Sequence, residues 1–123
     1  MQLTEQTEIN EWQIDFEWLR IRHYVKDSLN IKDLPDLKVI LFLIGVQELG
    51  NIDTERSFSK EEKQDLMHVA VCTLLEHEGY YRFKGRDQDG WPHWEVARPF
   101  SVKGVKEQEL ILKMRIINYF DQS

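Results

Sequence analysis

Apolar residues in the first third of the chain recur in a way that admits two readings. Trp12, Ile14, Phe16 and Trp18 alternate with Gln13, Asp15 and Glu17, a period of two that suits a strand. The phase slips at Leu19, however, and no Gly or Pro marks a turn there. At about 100° per residue the same positions fall on two stripes of one helix. Trp12, Phe16, Leu19 and His23 form one stripe, and Ile14, Trp18, Ile21 and Val25 form another on nearly the opposite side. A helix over residues 12–29 is the preferred reading, with a strand pair over residues 12–25 as the alternative. Asn10 is its expected cap, and Gln13 stands three residues later as in a loose capping box. Residues 1–9 are then expected as a flexible acidic approach.

The pattern changes after Asp33-Leu34-Pro35-Asp36, where an Asp and a Pro announce a helix start. Residues 37–49 follow, ended by Gly50. Val39 to Ile44 leave no polar side, so this helix is expected to be central and covered all round. A polar connection over residues 51–58 leads to Ser59, which with Glu62 makes a full capping box for a helix to about Glu78. Gly79 stops it. Residues 80–84 and 94–97 read as two strands around Asp87-Gln88-Asp89-Gly90, with Pro92 marking an edge. The last helix spans about residues 105–120, led in by Ser101 or Gly104. It also carries two stripes: Leu110, Met114 and Ile117 against Val105, Leu112, Ile116 and Tyr119. The expected fold is α+β and predominantly α, with about four helices and one β-hairpin between the third and fourth.

That order, and the passage from Leu74-Leu75-Glu76-His77-Glu78-Gly79 into Tyr80-Tyr81-Arg82-Phe83 and the turn at residues 87–90, resembles a winged-helix recognition helix running into its wing. The resemblance covers about a quarter of the chain and implies that residues 59–78 enter a DNA major groove. Charge opposes it. Residues 59–79 hold two Lys against five acids, whereas affinity for DNA rests on neutralised phosphates. Residues 80–104 carry five bases against three acids, a mild surplus that a solvated hairpin explains equally well.

Composition narrows the classes further. With 123 residues, one domain is expected, and 41% hydrophobic with 31% charged residues describes a globular chain. One Cys excludes an internal disulfide and any Cys-rich zinc framework. The longest apolar run is eight residues, well short of the ~20 needed to span a bilayer, so no membrane association is expected. No secretory pattern opens the sequence, which points to the cytoplasm. The net charge of −6 is uneven. Residues 1–19 carry five acids and no base, while residues 20–32 carry four bases and one acid.

Chemistry-bearing residues are few. His68, Cys72 and Glu76 share a helix face at metal-ligand spacing, but no second cluster completes a site, and core packing of Cys72 is the plainer reading. No phosphate loop, nucleophile elbow or dinucleotide fingerprint is present, so no cofactor is expected. An enzyme would need an unrecognised site joining His23, His68, His77 or His93 to carboxylates. The aromatic and basic hairpin offers Tyr80, Arg82, Lys84, Arg86, Trp91 and His93 as a binding surface. Its period-two split turns Tyr81 and Phe83 inward and Tyr80, Arg82 and Lys84 outward. Helices with two apolar faces exceed what a small domain covers by itself, so the leading expectation is a non-catalytic interaction module, homodimeric or bound to another protein. Nucleic-acid binding is the alternative.

Overall fold

A computed structural model describes residues 3–50, 57–99 and 104–121. It contains α1 (Leu3–Leu29), α2 (Leu37–Leu49), α3 (Lys60–Glu76), β1 (Tyr81–Arg86), β2 (Pro92–Val96) and α4 (Gly104–Asp121). The fold is thus α+β and predominantly α, with four helices and one antiparallel hairpin between the third and fourth. Phe100, Ser101 and most of the connection over residues 51–58 lie outside the described residues. The chain forms two compact units: residues 1–36 with 103–123, and residues 37–102.

In the first unit α1 is one helix, which settles the choice between helix and strand pair. It starts at Leu3, so Asn10 lies inside it and is not its cap. Its C-terminus is closed by Asn30 in the left-handed region (φ 54°), where the Ile31 N–H donates to the Lys26 carbonyl at 3.1 Å. Ile14, Trp18, Ile21 and Val25 are buried, and so are Ile116 and Ile117 of α4. Contacts advance in the same sense along both helices. Ile14 and Glu17 share a cleft with Met114, Ile117 and Asn118, and Arg20 then bonds Asp121 at 2.9 Å. The Lys113 ammonium lies 5.7 Å from the centre of the Trp18 ring. Of the two stripes expected on α4, Ile117 of one and Ile116 of the other are buried, and Met114 and Val105 are exposed.

The second unit is built on α2 and α3. Ile40, Leu41, Ile44, Gly45 and Leu49 of α2 are buried with Leu66, Val69, Ala70, Cys72, Leu74 and Leu75 of α3. The helices touch backbone to backbone at Gly45, where a Cβ would sit 2.0 Å from the Leu66 carbonyl oxygen. The expectation that α2 is covered all round needs correction. Val39 is exposed and Phe42, Leu43 and Val46 are half-buried, because α3 is the one described helix beside it in this unit. The capping box of α3 is complete: the Glu62 N–H donates to Ser59 Oγ, and the Ser59 N–H donates to Glu62 Oε1. Gly79, at φ 84°, turns the chain from α3 into the hairpin.

Both strands differ slightly from expectation. β1 reaches Arg86 and β2 begins at Pro92. The register pairs Phe83 with Trp94 and then Gly85 with His93, leaving Lys84 as a bulge that interrupts the simple alternation.

Candidate interaction surfaces

The α1 stripe opposite the core is open. Trp12 is 72% exposed and Phe16 61%, and Leu19 and His23 follow on the same face, also exposed. Trp12 and Phe16 lie one turn apart with nearly parallel rings, centroids 6.3 Å apart at 12°. Solvent exposure of two large rings side by side is costly for a surface that binds nothing. Polar side chains border the stripe: Asp15 and Arg22 on one flank, Gln13 and Arg20 on the other. Arg20 is engaged inside the unit, pairing with Glu17 as well as Asp121. Those two partners raise its pKa further, the Asp121 bond most. Arg22 donates from Nε to the Pro35 carbonyl at 2.8 Å.

The hairpin residues expected to form a binding face have mostly local work. Arg82 pairs with Glu95, and the Lys84 ammonium lies 3.7 Å from the same carboxylate. Arg86 donates to the carbonyls of Glu48 and Leu49 at 2.8 and 3.0 Å, capping the C-terminus of α2, and to that of Gly90 at 2.8 Å. Tyr80 is half-buried and not turned outward, with the Arg98 guanidinium 4.1 Å above its ring. Phe83, expected inward, is exposed, with its ring edge-on to Trp94 at 5.0 Å. A two-stranded sheet at a unit's edge has too little helix beside it to cover this face.

Trp91 and His93 belong instead to a turn organised by Asp87. Its Oδ1 accepts from the Asp89 and Trp91 N–H groups at 2.9 and 3.0 Å, and its Oδ2 lies 2.8 Å from His93 Nε2. The His93 bond, then those backbone donors, hold the Asp87 carboxyl below its ordinary value. Beside this turn a groove of about 530 Å³ opens between α3 and the hairpin, lined by Glu62, Asp65, His68, Asp87, Trp91 and Trp94 among others. The Trp94 indole nitrogen is buried and finds no hydrogen-bond partner among the described residues.

The metal reading of His68, Cys72 and Glu76 gains nothing from this geometry. Cys72 Sγ lies 3.4 Å from His68 Nε2, but Glu76 points to solvent on an exposed turn. Burial pushes the Cys72 thiol up to about 11, far from the thiolate that binds metal or attacks carbon. Among the described residues, no three His, Cys, Asp or Glu side chains are grouped to hold a cation. No described helix is long and apolar enough to cross a membrane.

No protein-family model matches the chain, and no curated protein or solved structure does. The geometry alone therefore ranks the surfaces. The bases Arg82, Lys84 and Arg86 of the hairpin have intramolecular partners, the α3 groove is acid-lined, and the α1 stripe presents aromatic area that none of the described residues covers.

Proposed function

We propose that this chain is a small non-catalytic interaction module that pairs with a second copy of itself through the exposed face of α1. The observation that carries this reading is the Trp12–Phe16 pair, 72% and 61% exposed, on the side of α1 opposite the core. Aromatic anchors of this kind supply most of the energy in protein interfaces. The alternative, a nucleic-acid binder of winged-helix type, loses support on two counts. Glu62 and Asp65 line the exposed side of α3, and Arg82, Lys84 and Arg86 already have carboxylate or carbonyl partners.

Sedimentation of the full chain at micromolar concentrations tests the pairing. A concentration-dependent shift toward twice 14.8 kDa is expected, and Phe16→Ser abolishes it without loss of helicity. A 14.8 kDa particle at every concentration ends the homodimer reading. Duplex DNA at about 50 mM salt, where phosphate contacts are strongest, is expected not to bind.

A further inference from the structure

Resting on the pairing just described, the geometry points to an antiparallel arrangement. We infer that α1 of one copy lies against α1 of the other across a two-fold axis, Trp12 meeting the partner's His23 and Phe16 meeting the partner's Leu19. The open face supplies the seam. Trp12, Phe16, Leu19, His23 and the half-buried Lys26 recur at intervals of four, three, four and three residues, the heptad spacing of paired helices.

Direction follows from charge. Parallel pairing sets every seam position against itself, so His23 would face His23 and Lys26 would face Lys26, two bases against two bases. Antiparallel pairing separates these groups and leaves one indole–imidazole layer and one aromatic–apolar layer, each present twice by symmetry. It also places like flanks together, so that Asp15 faces the partner's Arg22 on both sides of the axis. Asp15 is exposed and has no partner among the described residues, and Arg22 uses Nε on Pro35 but retains its terminal nitrogens. The competing parallel contact of Asp15 is with Arg20, whose guanidinium is already held by Glu17 and Asp121. On the larger scale, three acids without a base in residues 11–19 lie opposite the three bases and one acid of residues 20–29. Opposed helix dipoles act in the same sense. Residues 12–23 span only about 17 Å at 1.5 Å per residue, so the dimer belongs among small, concentration-dependent interfaces.

Charge exchange tests the direction. Asp15→Arg is expected to weaken the dimer about tenfold, because two facing pairs become repulsive. Asp15→Arg with Arg22→Glu restores it, and Asp15→Arg with Arg20→Glu does not. Because Arg22 also holds Pro35, a second measurement leaves it untouched: nitroxide labels on Asp27→Cys, with the buried Cys72 retained. Label separation near 30 Å is expected for antiparallel helices, from about 1.5 Å of rise per residue on either side of the axis. A separation near 15 Å, or rescue by Arg20→Glu in place of Arg22→Glu, overturns the antiparallel arrangement while leaving self-pairing intact. A wild-type chain that stays monomeric removes both.

Discussion

At position 45 a single hydrogen atom sets how closely α2 and α3 approach. A Cβ there would lie 2.0 Å from the Leu66 carbonyl oxygen, and both partners are backbone, so neither side can swing away. Gly45→Ala is therefore expected to cost at least the ~1–3 kcal/mol of an overpacked core. At Gly50 a Cβ meets nothing, and only its φ of 70° opposes the change. Gly50→Ala should thus cost less, about 1 kcal/mol. Chemical denaturation of the two variants checks the order, and equal losses would refute the close approach. Asp87 offers a second test at this scale. Its carboxyl is held below the ordinary 3.8, so the turn's contribution is complete above that value and fades as pH falls through the lower folded value. An NMR titration of Asp87 should give a midpoint under 3.8, with the Asp89 and Trp91 amides moving alongside it. Neither role was legible in the sequence. A Gly within a helix reads as a weak spot until the helix beside it is known, and Asp87 reads as one turn residue among several.

Elements were far more legible than roles. The caps at Ser59 and Gly79 and the apolar run of α2 placed three boundaries within about two residues, because capping is local chemistry. Both faces of α1 were equally visible. Which face turns inward was not, since Trp12 and Phe16 are as apolar as Ile14 and Trp18, and only α4 decides between them. The hairpin failed differently: Phe83 keeps the phase of Tyr81, because the bulge at Lys84 comes after it, but the face they share is left open at Phe83, and alternation alone does not say how far a helix reaches along a strand. The two α1 faces should respond oppositely to substitution. Ile21→Ala, at a site 1% exposed, is expected to destabilise by about 2–5 kcal/mol. Phe16→Ser should leave monomer stability within about 0.5 kcal/mol while weakening self-association. Thermal melts at low concentration separate these effects.

For the molecule as a whole, composition described an ordinary globular chain, and the −6 net charge argued weakly against polyanions. The structure sharpens that argument by showing how the bases are used. Those of the hairpin are tied to Glu95 and to main-chain carbonyls, and Arg20 is tied to its own unit. The open face of α1 is apolar instead, which suits the proposed self-pairing better than it suits a polyanion.

The division into units also bears on how the chain is made. α1 precedes residues 37–102 along the chain, yet α4, which covers its inner face, follows them. A nascent chain halted before Gly104 therefore lacks the helix that packs, within the same unit, on the inner stripe of Ile14, Trp18, Ile21 and Val25. The intervening unit is contiguous and needs no such wait, so its α2–α3 amides should gain protection from exchange before those of α4. Loop closure then joins α1 to α4 around a segment already compact, which lowers the entropy that closure must overcome. Until that step, the inner stripe of α1 lacks its helical partner, and transiently exposed apolar surface of this kind is prone to aggregation.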